Sequence, residues 1–409
     1  MDLCTKLHYR LWRGNVIMTF SVTQIQFQTD AYENACHLGM ITADDTTEEN
    51  ETVLSWVYDC GSQNQAQKVN QILENKHLNY VFVSHFDGDH INGITSLKVD
   101  KNTSFVLPYV SKDIFLYCFL MGYSKYTSDG LLFMKVLFRR LYNIDDNFDF
   151  EDDINKGEYK YYNKLIFNNF VKICKDNSCT VIHHFKFWEF IPYSYQDSVV
   201  NKSIVENCLL CASSKFWKKN FRNIDDLCQY VIFGKNVSKR LNSYRIFVKH
   251  IYDIFSILFL GRKTDLQNLI SMSVYAGPTG HAIKEDENNN LKNAGWLHTG
   301  DACLYSPKVC TDFFHFFGSY FSRTNVLSLP HHGSRKTNEK KVLSSFFSNS
   351  MTPVIVIPYS KKIRHCCHKN AFRQKVYCTY NQDIVFKNGV MKAIPGTFPC
   401  NNKNCNVYR

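Results

Sequence analysis

Val81-Phe82-Val83-Ser84-His85-Phe86-Asp87-Gly88-Asp89-His90-Ile91-Asn92-Gly93 is the stretch on which the fold of this chain turns. Tyr80 to Val83 is aromatic and β-branched, the composition of a buried strand. Four side chains able to ligate a metal follow it at positions 85, 87, 89 and 90. In an extended chain alternate side chains fall on one side, so His85, Asp87 and Asp89 can converge. His90 enters from the start of the next helix, and Gly88 permits a tight turn between the ligands. Imidazole and carboxylate together suit Zn²⁺, Mn²⁺ or Fe.

Two later stretches repeat the arrangement of strand then ligand. They are Trp296-Leu297-His298-Thr299-Gly300-Asp301-Ala302 and Leu327-Ser328-Leu329-Pro330-His331-His332-Gly333-Ser334. In layered α/β folds sites are assembled at the C-terminal ends of strands. A carboxylate at Asp301 can bridge two cations, and an imidazole of the His331–His332 pair can complete the second. Around the first stretch, Leu54 to Tyr58 predicts a strand that stops at Asp59-Cys60-Gly61-Ser62. Gln65 to Leu78 then has helical spacing before the strand at Tyr80. Strand, helix, strand points to an α/β layered fold.

Further strands are expected within Leu11 to Gln28, where Val22 to Phe27 alternates, and at 105–110, Ile270 to Tyr275, Ala294 to Leu297, Val326 to Leu329, Pro353 to Ile357 and Asp383 to Phe386. From Asp113 to about Leu260 the chain is aromatic, Lys-rich and helical in pattern, with a strand-like piece at Thr180 to Phe190. The organisation expected is therefore 1–110 as the first half of an α/β domain with the metal loop, 111–262 as a mostly helical insertion, and 263–409 as the second half and a polar tail.

These residues resemble a known family. His85-x-Asp87-x-Asp89-His90 resembles the metallo-β-lactamase superfamily signature His-x-His-x-Asp-His, with Asp at the middle His. That exchange is typical of a subgroup resembling the hydrolase domain of bacterial competence (DNA-uptake) proteins. Thr299-Gly300-Asp301 resembles its bridging-Asp motif, and Pro330-His331-His332-Gly333-Ser334 its terminal His motif. Asp59-x-Gly61 resembles the early turn that supports the ligand loop without touching metal, and Asn268 to Tyr275 resembles the strand before the bridging Asp. The likeness covers residues 10–110 and 265–390.

The resemblance implies an αββα metallo-β-lactamase sandwich with a long, largely helical insertion. It implies one or two divalent ions, Mn²⁺ or Zn²⁺, held by His85, Asp87, Asp89, His90, Asp301, His331 and His332. The activity implied is metal-dependent hydrolysis, foremost of a phosphodiester in nucleic acid or a nucleotide, by a metal-activated hydroxide. Asp87 or Asp89 would orient the attacking hydroxide, one of the His pair would protonate the leaving oxygen, and Ser334, Arg335 and Lys336 would grip phosphate. The carboxylate-rich ligand set leans toward Mn²⁺. The chain departs from the pattern in its long span from His85 to Asp301 and in lacking a well-placed further His. His183, His184, His250 and His281 are the ones available between.

Composition fits these expectations. With 409 residues and 44% hydrophobic content a substantial core can form. Lys plus Arg is 48 against 37 for Asp plus Glu, a formal charge of +11 that favours polyanionic partners. The 16 cysteines are scattered through a long chain, unlike a small disulfide scaffold. No signal-peptide pattern opens at Met1, and no apolar run approaches the ~20 residues that span a bilayer. A cytoplasmic setting with free thiols and no membrane partner is expected.

Weaker signals are Lys215-Phe216-Trp217-Lys218-Lys219-Asn220-Phe221-Arg222, basic and aromatic like a single-strand binder or an amphipathic helix, and the Cys/His residues from His365 to Cys405 as a small zinc site. The helical insertion is also a candidate docking surface for protein partners. The alternatives to a nuclease are a hydrolase of another ester or amide bond, and a binding subunit with a vestigial site. A defence-effector setting is compatible with such a nuclease, and no residue encodes it.

Overall fold

The alternation in Val22 to Phe27 becomes a two-faced strand: Val22 packs toward one core and Ile25 toward another. The computed structural model describes residues 7–8, 19–28, 35–44, 51–74, 76–142, 170–172, 181–195, 202–234, 238–260, 266–285, 294–304, 306–331, 346, 348, 350, 354–357, 375–379, 382–387 and 390–395. Among these residues, ten helices and two mixed sheets make a mixed α/β fold.

The first sheet contains β1 (Leu7–His8), β2 (Thr19–Gln26), β3 (Cys36–Asp44), β4 (Glu51–Cys60), β5 (Tyr80–Phe82), β6 (Ser104–Leu107), β7 (Phe170–Lys172), β15 (Gln382–Lys387) and β16 (Val390–Pro395). Its order is β16-β15-β2-β3-β4-β5-β6-β7, with β1 beside β2. β2, β3 and β4 run antiparallel, and β4 through β7 run parallel. Parallel pairing of β4 and β5 needs a crossover, and α1 (Gln63–Leu73) supplies it, capped by Ser62 and burying Ala66, Val69 and Leu73.

The second sheet contains β8 (Ile182–Phe185), β9 (Trp188–Ser194), β10 (Met272–Pro278), β11 (Gly295–His298), β12 (Thr324–Ser328), β13 (Val354–Ile357) and β14 (Lys375–Cys378), in the order β14-β13-β12-β11-β10-β9-β8. The segment between the two halves is therefore more than helices. It contributes β7 to one sheet, and the β8–β9 hairpin that pairs along the whole of β10 to the other. Before β7 it carries α3 (Lys112–Gly122) and α4 (Ser128–Leu141), and after β9 it carries α5 (Lys202–Trp217), α6 (Ile224–Phe233) and α7 (Leu241–Leu260).

The sheets meet through large side chains. Trp56 of β4 lies 5.5 Å from Trp188 and 5.1 Å from Phe190 of β9, centroid to centroid. Tyr58 donates to the carbonyl of Met272 at 2.6 Å, and the Met272 N–H donates to Ser84 at 2.7 Å. On the outer face of the second sheet, α10 (Pro307–Phe317) buries Val309, Cys310, Phe313 and Phe317. Among the described residues no helix is long and apolar enough to cross a membrane, and Cys60, Cys208, Cys211 and Cys228 carry free thiols.

Two histidines sit in the contact between the sheets. His37 of β3 and His298 of β11 stack edge to face at 4.2 Å, and both are buried. Burial, and then the neighbouring His298, holds His37 well below the usual imidazole range, and burial takes His298 down to about 3. Each is neutral when folded and charges when unfolded, so the unfolded state binds more protons between those folded values and 6.5. Stability is therefore lost as pH falls below 6.5, by up to about 1.4 kcal/mol per pH unit for each histidine. Chemical denaturation of wild type and His37→Phe at pH 6.5 and 4.5 checks this: the variant should show the shallower decline, and equal declines would refute it.

Candidate metal centre

Asp59, next to last in β4, has a left-handed backbone (φ 57°), and its carboxylate reaches Ser84, just past the next strand. Oδ1 accepts the Ser84 N–H at 2.7 Å. Oδ2 accepts the Ser84 hydroxyl at 2.7 Å and His90 Nδ1 at 2.8 Å. These contacts fix both imidazoles. His90 directs its other nitrogen, Nε2, toward Asp301 Oδ1 at 3.6 Å and Asp89 Oδ2 at 4.0 Å. The Ser84 hydroxyl is already donating to Asp59, so its oxygen accepts from His85 Nδ1 at 3.0 Å. His85 Nε2 then faces Asp301 Oδ2 at 3.8 Å, buried and with no hydrogen-bond partner. A carboxylate that orients an imidazole from behind is the usual outer support of a metal-binding histidine.

Asp301 comes from the opposite sheet, past the end of β11. Gly300 before it has φ 51°, and a Cβ there would come within 2.5 Å of Ser271 Oγ and 2.7 Å of Ser84 Cβ, so glycine is required. The Asp301 N–H donates to Ser271 Oγ at 2.9 Å. The third strand end is tied to this turn: Thr299 donates to the Ser328 carbonyl at 2.6 Å, and the His331 N–H to the Gly300 carbonyl at 3.0 Å.

The outcome is a buried group, His85, His90 and Asp301, with one ligand atom of each inside a 4.8 Å sphere of mutual distances. This group could hold a metal ion. Contacts of 3.6 to 3.8 Å between its nitrogens and oxygens are too long for hydrogen bonds. Atoms that share one ion at about 2.1 Å lie roughly 3–4 Å apart. Burial lowers the basicity of His90, but Asp59 and Asp301 outweigh it and raise its pKa to about 10. The carboxylates thus demand a positive charge at this point. His85 goes the other way, down to about 3 through burial and the nearby His90, so its Nε2 carries a lone pair.

The remaining expected site residues are placed as follows. Asp87 caps α2 (Gly88–Ile91), accepting the Gly88 N–H at 3.1 Å through Oδ1. Its Oδ2 is ion-paired with Lys125, and it stands outside the group of three. Burial and the adjacent Asp89 raise its carboxyl to about 6. Asp89 opens the first turn of the same helix, at the edge of the group. His331, partly exposed, has Nδ1 3.6 Å from Asp301 Oδ2 and 2.7 Å from Asn268 Nδ2. Because the amide donates to Nδ1, the ring carries its own proton on Nε2. Gly61 donates to the Ala35 carbonyl at 2.9 Å, anchoring the turn after Asp59.

His332, Ser334, Arg335 and Lys336, and the Cys/His residues 365–368, 400 and 405, lie outside the described residues. His250 and His281 are exposed on helices and are not members of the group, and the side chains of His183 and His184 are outside the description.

The basic–aromatic run ends α5, and its aromatics are packed. Phe216 lies 5.2 Å from Tyr244, Trp217 lies 5.4 Å from Tyr230, and Arg240 covers both rings. Packing of three helices, rather than base stacking, accounts for these rings.

Sequence reading had passed over Ser84, Lys125, Asn268 and Ser271. Ser84 had a signal, since a residue adjacent to a ligand in an extended chain faces the opposite way, toward Asp59. Lys125 had none. No protein-family model matches this chain, and no curated protein sequence matches it.

Proposed function

We propose that this chain is a metal-dependent hydrolase of the metallo-β-lactamase type that cleaves phosphodiesters in nucleic acid or nucleotides. The observation that carries the reading is the convergence of His85, His90 and Asp301 from two sheets into one buried, carboxylate-surrounded group. Two facing sheets with α1 on one flank and α10 on the other are what an αββα sandwich requires, and this supports the finer fold assignment.

His85 Nε2, His90 Nε2 and the Asp301 carboxylate would hold the ion, with Asp89 beside them. A bound Zn²⁺ or Mn²⁺ supplies Lewis acidity, lowering the pKa of water and offsetting phosphate charge. The chain's own groups do the rest. Asp59 and Ser84 keep both imidazoles in the ligating tautomer. Water's oxygen replaces the leaving alkoxide on phosphorus, and the proton that water gives up ends on that alkoxide. His331, neutral with its proton on Nε2 and its ring fixed by Asn268, would donate a hydrogen bond to the leaving oxygen. The formal charge of +11 favours a polyanionic substrate over a neutral lactone or amide.

The test is incubation of purified protein with Mn²⁺ or Zn²⁺ and labelled DNA, RNA, cyclic nucleotides and bis-p-nitrophenyl phosphate. Metal-dependent turnover of at least one is the expected result. No turnover of any, with metal shown by elemental analysis to be bound, would refute the phosphodiester reading.

A further inference from the structure

Seven side chains of this chain have the chemistry to ligate two cations, but the structure commits one of them elsewhere. Asp87 is buried, and both its oxygens are engaged: Oδ1 with the Gly88 N–H and Oδ2 with the ammonium of Lys125. Lys125 lies in the turn between α3 and α4, in the segment between the two halves of the α/β fold.

This is not a loose surface pair. The turn is sewn to the ligand loop on both sides of Asp87. Tyr126 donates to the Phe86 carbonyl at 2.7 Å. Asn92 donates to the Lys125 carbonyl at 3.0 Å and accepts from the Thr127 N–H at 3.0 Å. A Cβ at Gly88 would come within 2.5 Å of the Lys125 carbonyl oxygen, so glycine lets the turn approach this closely. The Lys125 side chain is 56% exposed, so its ammonium lies at the rim beside the group of three rather than beneath it.

We infer that the Lys125 ammonium stands in for a second cation beside Asp87 and that, with the His331 nitrogen facing Asp301 taken by the Asn268 amide, the centre takes a single divalent ion at His85, His90 and Asp301. The inference rests on the reading of that group as a metal centre. A second dication at Asp87 would have to displace an ammonium held by a turn that four hydrogen-bonding and packing contacts fix to the loop. If it did not displace it, it would sit against a like charge.

The experiment is a count of bound ions, independent of activity. Metal-free full chain is titrated with Mn²⁺ by calorimetry, and bound manganese is counted by elemental analysis after desalting, with Asp301→Ala as the baseline. Wild type is expected to bind one equivalent above baseline, and Lys125→Met two. The double variant Lys125→Met/Asp87→Asn should return to one, since the freed carboxylate is gone. Lys125→Arg, which keeps the cation, should stay at one and serves if the methionine variant is unstable. Two equivalents in wild type, two in Lys125→Arg, or an unchanged count in folded Lys125→Met would overturn the inference and leave the metal centre standing. No manganese in wild type would overturn the metal centre itself.

Discussion

Asp301→Ala is expected to lower divalent-metal affinity by at least about 100-fold and to abolish metal-dependent phosphodiester cleavage. Loss of outer support alone costs about 10–100-fold at metal sites, and Asp301 belongs to the inner group. Its carboxylate is the one that faces both buried imidazoles, at 3.6 Å from His90 and 3.8 Å from His85. Among the described residues it is the one carboxylate within 4 Å of His85 Nε2, so alanine leaves that imidazole without an anionic neighbour at that range and His90 Nε2 with Asp89, at 4.0 Å. The backbone position is secured separately, by the Ser271 hydroxyl on the Asp301 N–H, so the variant should fold. Calorimetric titration with Mn²⁺ and Zn²⁺, beside circular dichroism of the apo-protein, measures both. A folded Asp301→Ala protein with wild-type affinity would show that the ion, if any, binds elsewhere.

Asp59→Ala should damage the protein twice over. The carboxylate is 1% exposed and accepts from three donors: the Ser84 N–H, the Ser84 hydroxyl and His90 Nδ1. Removing one partner of a buried charged pair costs about 3–5 kcal/mol, because the other partner is left without compensation. The left-handed backbone at this position adds strain for alanine, while asparagine tolerates it better. Metal affinity should also fall about 10–100-fold, since His90 would no longer be locked with Nε2 toward Asp301. Asp59→Asn, which keeps acceptor capacity but loses the charge, should recover part of the stability and little of the affinity. Urea denaturation and metal titration of the pair separate the two effects. An alanine variant as stable as wild type and equally avid for metal would refute the supporting role assigned to Asp59.

Much of the frame was legible because it follows from local rules. Tyr80–Phe82, Gly295–His298 and Thr324–Ser328 are short runs rich in apolar residues with ligands just beyond them, and each is a strand. The placement of Trp56 and Tyr58 on one face and Val57 on the other follows from the two-residue period alone. The helix at Pro307–Phe317 was passed over, although Ser306-Pro307 followed by apolar residues at 309, 310, 313 and 317 is a helix-start pattern. The β8–β9 hairpin was legible as the strand-like piece at Thr180 to Phe190 inside a segment otherwise read as helical. Its partner was not: β9 pairs with β10, nearly eighty residues later, and long-range pairing leaves little local trace.

The site divides in the same way. Residues in one loop, such as His85 and His90, could be seen to converge from spacing. That Asp87 turns to Lys125 could not, because the ion pair depends on how the α3–α4 turn packs against the loop. The junction of His37, Tyr58 and His298 likewise needs both sheets in place before it exists.

An anomalous-difference map from crystals soaked in Mn²⁺, and separately in Zn²⁺, tests the central claim most directly. One peak within ligating distance of His85 Nε2, His90 Nε2 and the Asp301 carboxylate is the predicted result. Saturating metal with no peak among those three residues, or a peak only at a site remote from them, would contradict it.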